Sequence, residues 1–270
     1  MLITSLNNKM VLYANSLKEK KYRDIEKKYL IEGEHLISMA TDIECIFTTD
    51  LNYVNDKATV YYVSENVLKK LSFVQAPQGI IAIVNKQNYS FNDGLSSYLL
   101  CDKVADPGNM GTIIRTALAF NVDMIILENG SVDIYNEKVI RSSQGAILKC
   151  KIIYASLSDT ILKLQKNNVK VYASTLSDRS INLKDVKKIG KYALVVGNEG
   201  SGVSKHIQDI SDYNIKIMHS NAIDSLNVGV ATSIMLYYFD SLKKWLILLF
   251  FLVFFNKKKY NTFGIDDGHG

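Results

Sequence analysis

The sequence predicts an α/β protein of two domains: a small α/β domain, followed by a larger α/β domain built on a parallel sheet. The 270 residues are enough for two domains of modest size, each with its own core. Along the second part, short apolar runs alternate with helical stretches, which is typical of a parallel sheet covered on both faces. Residues 85–97, rich in Asn, Ser and Gly, indicate a linker and a boundary near residue 95.

The first domain, residues 1–95, is expected to begin with a helix and to continue with short helices and strands in alternation. Its apolar strands are predicted at 43–48, 60–63 and 79–84.

The second domain, residues 96–242, is expected to alternate buried strands with helices. The strands are predicted at 98–101, 122–127, 150–154, 169–174 and 192–196. The helices are predicted at 112–120, 158–167, 183–189, 203–210 and 226–242. Ligands of such sheets bind beyond the carboxyl ends of the strands, so chemistry is expected in the segments that follow the strands.

The net charge neither supports nor excludes a nucleic-acid partner. Of the formal charge of +5, residues 241–270 supply +3, from five Lys and two Asp. A local patch would be enough for phosphate contacts. One candidate patch consists of Lys18, Lys20, Lys21, Arg23, Lys27 and Lys28. A solvated helix face explains this patch equally well.

The cysteines and histidines indicate neither a disulfide framework nor a metal site. Cys45, Cys101 and Cys150 are far apart and lack the Cys-x-x-Cys spacing, and the four histidines show no ligand spacing. No metal is therefore expected. The first residues lack the charged start and long apolar stretch of a signal peptide, which favours the cytoplasm.

The end of the chain, residues 243–270, is an atypical apolar and basic tail. It contains eleven consecutive apolar residues, 245–255, between two groups of Lys. As a helix this run would reach only about 16 Å, against about 30 Å for the hydrocarbon core of a bilayer. A membrane role is therefore the less favoured alternative to an added tail that packs on the body or stays loose.

Two segments that follow strands could carry chemistry. Residues 106–117, Asp-Pro-Gly-Asn-Met-Gly-Thr-Ile-Ile-Arg-Thr-Ala, run from a turn into a helix, with Asn109 as a natural cap and Arg115 off the apolar face. Residues 197–202, Gly-Asn-Glu-Gly-Ser-Gly, form a tight turn whose charged residue is Glu199. Taken singly, these patterns also fit a capped helix with a solvated arginine and an ordinary ligand-side turn.

A third segment begins the last helix. Residues 225–231, Ser-Leu-Asn-Val-Gly-Val-Ala, follow a strand and a polar loop, with Ser225 or Asn227 as the helix cap. By itself this segment fits a simple capped helix start. His219 in the preceding loop is interpreted as a loop histidine rather than as a base.

In this order and at these separations, the three segments resemble motifs one, two and three of the SpoU (TrmH-like) family of RNA 2'-O-ribose methyltransferases, in the SPOUT superfamily. Residues 141–146, Arg-Ser-Ser-Gln-Gly-Ala, resemble a further segment of that family. Residues 29–36, Tyr-Leu-Ile-Glu-Gly-Glu-His-Leu, and 75–80, Gln-Ala-Pro-Gln-Gly-Ile, are similar to its N-terminal substrate-binding domain, which is itself similar to ribosomal protein L30e. The resemblance covers about residues 20–240.

The resemblance implies an α/β domain whose C-terminal part threads through a loop to form a trefoil knot. It also implies S-adenosylmethionine bound in that knot, and a homodimer as the working form. Backbone groups that would hold the cofactor belong to Thr175, Gly197, Ile217 and Leu226. The reactive side of the pocket would be formed by Asn109, Arg115, Glu199, Ser225 and Asn227.

The implied reaction is displacement at the sulfonium methyl by a ribose 2'-hydroxyl, a poor nucleophile until it loses its proton or is polarised. In the family the arginine matched by Arg115 is proposed to act as a base or to orient the hydroxyl, across the dimer interface. A guanidinium keeps its proton, with a pKa above about 12, so an orienting role is favoured. Glu199 is expected to accept backbone N–H bonds, and Ser225 and Asn227 to position ribose or neighbouring loops.

Two features depart from the family pattern. Its motif three usually reads Ile-Pro-Met where this chain has Ile217, Met218 and His219, so a proline is missing near the cofactor. Family members also commonly end soon after the last helix, whereas this chain continues into the tail.

The expected function is methyl transfer from S-adenosylmethionine to a ribose 2'-hydroxyl of structured RNA. The two-domain layout favours 23S ribosomal RNA over tRNA, and no DNA partner is expected because DNA lacks the 2'-hydroxyl. The alternatives are a tRNA 2'-O-methyltransferase, a non-catalytic RNA-binding or ribosome-assembly protein that keeps the fold, and a membrane-associated variant.

Overall fold

The computed structural model describes residues 2–177, 179–220 and 222–243. The first part of the chain is built on a five-stranded sheet. Its strands are β1 (Leu2–Ile3), β2 (Lys28–Glu32), β3 (Ile43–Thr48), β4 (Thr59–Val63) and β5 (Ile80–Asn85). Its helices are α1 (Lys9–Ser16), α2 (Lys20–Glu26), α3 (Glu34–Met39) and α4 (Glu65–Leu71). The strand order is β1-β4-β3-β5-β2, and β5 runs antiparallel to both neighbours, so the sheet is mixed.

The second part is built on a parallel sheet with helices between its strands. The strands are β6 (Ser97–Asp102), β7 (Met124–Leu127), β8 (Ile152–Tyr154), β9 (Lys170–Ser174), β10 (Ile181–Asn182), β11 (Tyr192–Gly197) and β12 (Tyr213–Lys216). The helices are α5 (Pro107–Ala119), α6 (Glu137–Ser143), α7 (Leu157–Lys166), α8 (Lys205–Ile210) and α9, residues 228–243. The strand order is β10-β12-β9-β11-β6-β7-β8, with every pair parallel. The predicted parallel-sheet α/β domain is therefore confirmed.

The central strands β6 and β11 are buried at every residue, which explains their continuous apolar sequence. Successive side chains of a strand point to opposite faces. Accordingly, Leu99 and Cys101 of β6 pack on the face covered by α5 and α9, and Tyr98 and Leu100 on the face covered by α7 and α8. Helices thus cover both faces, and the edge at the carboxyl ends of the strands is left for a site.

One predicted helix is wrong. At 183–189 the chain forms only a single 3-10 turn, Leu183–Asp185, and residues 186–190 are irregular. Leu183, Val186 and Ile189 are all buried at a spacing of three, which imitates a helical face. Here the extended segment itself lies along the core, so packing rather than helical periodicity produces the pattern.

The apolar run predicted at 245–255 lies outside the described residues. Within the part of the chain that the structure describes, no helix is long and apolar enough to cross a bilayer. The trefoil knot stays a prediction.

Candidate active site

A cavity of about 600 Å³ lies beyond the carboxyl ends of β9, β11 and β12, where the sequence predicts chemistry. This volume is typical of sites for small molecules and cofactors. Eight of the nine predicted site residues line it, namely Asn109, Thr175, Gly197, Glu199, Ile217, Ser225, Leu226 and Asn227. Loops that are distant in sequence therefore meet at one place.

The turn after β11 is closed on itself. Asn198 and Gly202 exchange two backbone hydrogen bonds, and the side chain of Asn198 accepts from the N–H of Gly200. At Gly197 a Cβ would lie 2.1 Å from the backbone carbon of Gly202, so this position has room only for glycine. The sequence predicted a tight turn here but did not single out Asn198, whose side chain orders it.

Glu199 ties this turn to the loop after β6. Its carboxylate accepts hydrogen bonds from the backbone N–H groups of Ala105 and Asp106, both at 3.1 Å, and from the side-chain amide of Asn109 at 3.0 Å. Burial alone would raise the pKa of Glu199, but these hydrogen bonds outweigh it and hold the pKa below its usual value. Glu199 accepts backbone N–H bonds, as predicted, although those of Ala105 and Asp106 belong to the neighbouring loop.

Two asparagines continue this network across the cavity. The side-chain amide of Asn227 donates to Oδ1 of Asn109 at 2.8 Å. Oδ1 of Asn227 accepts from the N–H groups of Gly229 and Val230, so Asn227 rather than Ser225 caps α9. Glu199, Asn109 and Asn227 thereby form one hydrogen-bonded chain that joins three loops.

Asn109 is not the cap of α5, which corrects the sequence prediction. The cap is Asp106, whose Oδ1 accepts from the N–H of Asn109 at 2.7 Å, and Pro107 occupies the first turn. Proline suits this position because it has no N–H to satisfy and its φ is already helical. The helix therefore begins at Pro107 rather than at residue 112, and the Asn109 side chain remains available for the network.

The residues predicted to hold a cofactor also line the cavity. The N–H of Thr175 donates to the carbonyl of Ile215, and its hydroxyl forms a hydrogen bond with Ser180. Ile217 and Leu226 make no hydrogen bond to another described residue, so their backbone groups are free to bind a ligand in the cavity. Ser225 is exposed at the rim.

Arg115 is the predicted site residue that does not line this cavity. It is exposed on α5, beside the contact of α5 with α9. In that contact the hydroxyls of Thr116 and Ser233 lie 2.9 Å apart. On the α9 side, Val230, Ile234 and Tyr237 are exposed. Arg115 is thus one residue away from the contact of α5 with α9.

His219 also lines the cavity. Its Nδ1 lies 3.0 Å from the carbonyl of the adjacent Ser220, which agrees with its interpretation as a loop histidine.

Comparison with known proteins identifies relatives over both parts of the chain. Residues 96–237 match the SpoU rRNA Methylase family, and residues 8–82 match an MRM3-like substrate binding domain. The 23S rRNA (guanosine(2553)-2'-O)-methyltransferase RlmP of Bacillus subtilis is 32% identical over 244 residues, which cover 87% of this chain and 98% of that protein. A putative TrmH family tRNA/rRNA methyltransferase of Staphylococcus epidermidis is 31% identical over 80% of this chain and 92% of its own length.

Solved structures show the same architecture. An AdoMet-bound rRNA methyltransferase from Sinorhizobium meliloti superposes with a TM-score of 0.80 at 28% identity, over 88% of this chain and 96% of that one. The SpoU methyltransferase AviRb from Streptomyces viridochromogenes, in complex with AdoMet, is similar in fold, with a TM-score of 0.76 at 20% identity over 88% of this chain and 98% of that chain.

Proposed function

Because the chain belongs to the SpoU family of S-adenosylmethionine-dependent RNA methyltransferases, we propose that it methylates a ribose 2'-hydroxyl, with 23S ribosomal RNA as the substrate. The observation that carries this proposal is the single cavity in which eight of the nine predicted residues meet. The name of the Bacillus subtilis relative, which is similar over nearly its full length, supports both the 2'-oxygen and the 23S RNA.

The residues of the cavity fit S-adenosylmethionine. The free backbone groups of Ile217 and Leu226, which line the cavity, can recognise an adenine edge or a ribose. We assign Thr175, Gly197, Ile217 and Leu226 to holding the cofactor. When bound, S-adenosylmethionine supplies an electrophilic methyl group on a sulfonium centre.

The hydrogen-bonded network of Glu199, Asn109 and Asn227 forms part of the proposed reaction site. Because each of the two asparagine side chains is already tied to a loop, it presents its remaining hydrogen-bonding capacity in a fixed direction. We propose that this hydrogen-bonded network and Ser225 position the ribose. Glu199, whose pKa is lowered, stays ionised at neutral pH and keeps the loops joined.

We propose that the enzyme works as a homodimer, in which Arg115 of one subunit reaches the cavity of the other. Arg115 lies outside the cavity of its own subunit, one residue from the contact of α5 with α9, and a second copy would cover the exposed apolar residues Val230, Ile234 and Tyr237 of α9. In this position the guanidinium would orient and polarise the 2'-hydroxyl.

The dimer is tested by sedimentation. Tyr237→Lys should yield monomers, whereas Leu162→Lys should not, because Leu162 is an exposed apolar residue on α7, away from α9.

The experiment that tests the reaction is transfer of labelled methyl from S-adenosylmethionine to total RNA from cells that lack this protein. We expect a single new 2'-O-methyl position in large-subunit ribosomal RNA, mapped by resistance of its phosphodiester to alkaline cleavage. A new 2'-O-methyl position in tRNA would contradict the substrate. Methyl on a base would contradict the 2'-oxygen, and no transfer would favour an RNA-binding protein without catalysis.

A further inference from the structure

A second cavity, of about 670 Å³, lies between the two parts of the chain. It is bounded by the end of α2, the linker that follows β5, the loop that follows β7 and the strand β8. We call it the interdomain cleft and define it by the side chains that line it, Lys27, Lys86, Tyr89, Asn129, Tyr135 and Tyr154. None of these residues belongs to the proposed methyl-transfer site.

The basic patch noted in the sequence is divided by the fold, and part of it faces this cleft. Lys18 donates to the carbonyls of Lys70 and Ser72, and Lys28 pairs with Glu44. These two cations are therefore structural. Lys20 and Lys27, in contrast, line the cleft.

The cleft carries a surplus of positive charge. Its two carboxylates are already paired: Asp24 with Lys20 and Lys86, and Asp133 with the buried Arg23. Lys27 is exposed and makes no ion pair with any described residue. An anion that enters the cleft therefore meets a free ammonium and no free carboxylate, which suits a phosphate.

The aromatic wall of the cleft is rigid. The hydroxyl of Tyr154 donates to the carbonyl of Val132 at 2.8 Å and accepts from the N–H of Ile134 at 3.1 Å. The residue is nevertheless 41% exposed, so its side chain is held in place while part of it faces solvent. A fixed, partly exposed aromatic ring in a cavity that also presents a lysine is an arrangement on which proteins stack unpaired bases.

The cleft and the proposed methyl-transfer site lie along the same edge of the sheet. Tyr154 ends β8, which is three strands away from β11, so the separation along the edge is on the order of 15 Å. The intervening loops are joined, because the N–H of Val132 donates to the carbonyl of Val104, and the next residue, Ala105, donates to Glu199. One RNA strand can therefore contact both places.

We propose that the interdomain cleft binds an unpaired nucleotide of the substrate RNA, a few nucleotides from the ribose that is methylated. Its base stacks on Tyr154 and its phosphate pairs with Lys27. This inference rests on the proposed function, since it assigns a further contact to the same RNA, and it explains why the two domains present lysine and tyrosine side chains to a shared cleft.

The test is the affinity of the full chain for a fluorescein-labelled single-stranded decauridylate, measured by anisotropy over a range of salt concentrations. Lys27→Gln keeps the backbone strain of a non-glycine residue at φ 57° and removes only the charge, and Tyr154→Leu removes the ring. Each should weaken binding at least fivefold, and Lys27→Gln should also reduce the salt dependence by about one phosphate contact.

Two matched variants control for charge and for packing. Lys166→Gln removes an exposed lysine on α7 and should bind within twofold of wild type, whereas Tyr154→Phe keeps the ring but loses the hydroxyl that fixes it, so it should bind more tightly than Tyr154→Leu. Calorimetry with S-adenosylmethionine verifies that each variant is folded and retains its cofactor site. If Tyr154→Leu does not fold, the affinity of Lys27→Gln for decauridylate alone tests the cleft proposal.

Unchanged affinity in Lys27→Gln and Tyr154→Leu, or no binding of decauridylate by wild type, would overturn the cleft proposal. Methyl transfer to total RNA is measured separately. Failure of that reaction, with the cleft variants still weakened, would overturn the proposed function and not the cleft.

Discussion

Glu199 joins three loops of the candidate site through hydrogen bonds of a single side chain. Its carboxylate accepts from two backbone N–H groups of the loop after β6 and from Asn109, which in turn bonds to Asn227. Three loops are thereby held in register by one anion. A carboxylate can do this because it offers several lone pairs and no competing donor.

We predict that Glu199→Gln lowers the free energy of unfolding by about 1 kcal/mol, at the low end for bonds to a charged group because residue 199 is exposed. The glutamine side chain would place its own N–H donors against the backbone N–H groups of Ala105 and Asp106. Since the pKa of Glu199 is lowered by folding, its contribution is complete above its ordinary value of 4.5 and is lost as the pH falls. In urea titrations the difference between wild type and variant should therefore be present at pH 7 and shrink below about pH 4.5. A difference that persists in acid would contradict this assignment.

Arg115 is a second residue whose role is defined by where it lies. We predict that Arg115→Ala abolishes methyl transfer and leaves the affinity for S-adenosylmethionine within a few fold, measured by calorimetry, because Arg115 does not line the cavity. A mixture of Arg115→Ala and Asn227→Ala subunits should regain part of the activity, since half of the sites in a mixed dimer are then intact. If the mixture stays inactive, Arg115 does not act across subunits.

At the scale of elements, the placement of α5 depends on one small residue. A Cβ at Gly111 would lie 2.0 Å from the hydroxyl of Ser142 and 2.9 Å from its backbone carbon, so α5 and α6 touch at this point. Asn109 and Arg115 are both on α5. The distance between these helices therefore affects the geometry of both residues.

We predict that Gly111→Ala destabilises the protein by about 1–2 kcal/mol, because the overlap with Ser142 outweighs the gain of about 1 kcal/mol in helix propensity. The melting temperature should fall by several degrees and the RNA methyltransferase activity should fall with it. Gly190→Ala is the control, because a Cβ there meets nothing within 4 Å. Equal melting temperatures of the Gly111→Ala variant and wild type would show that the helices separate at no cost.

At the scale of the whole molecule, a buried ion pair joins the two parts of the chain. The guanidinium of Arg23, on α2, lies 2.7 Å from Asp133, in the loop after β7, and also donates to the carbonyls of Leu17 and Lys18. Apolar residues from both parts also share one core cluster. The two sheets are therefore held in a defined orientation, and the interdomain cleft lies beside this contact.

We predict that Arg23→Met lowers the free energy of unfolding by about 2–3 kcal/mol, because it leaves the half-buried Asp133 without its cation. The control Lys20→Met breaks an exposed pair and should cost less than 1 kcal/mol. Urea denaturation of both variants measures the difference. Equal costs would show that the buried pair does not hold the two parts together.

The sequence by itself determined much of this protein. Periodic apolar runs in the second domain specified the parallel sheet, since strands buried on both faces must be continuously apolar. The three loop motifs indicated the residues that meet in one cavity, because the carboxyl ends of parallel strands share one edge. Two predictions from these patterns were wrong, and both were local. The helix α5 begins at Pro107 rather than at residue 112. At 183–189 a helix was predicted, but the buried side chains three residues apart belong to an extended segment.

Only the tertiary structure decided the contacts between segments distant in sequence. No sequence pattern predicts that Glu199 bonds to the loop before Asn109, or that part of a basic patch faces a cleft lined with tyrosines. The physical reason is that local sequence controls backbone conformation and which face is buried. The partners of a polar side chain, in contrast, are determined by how whole elements pack against one another.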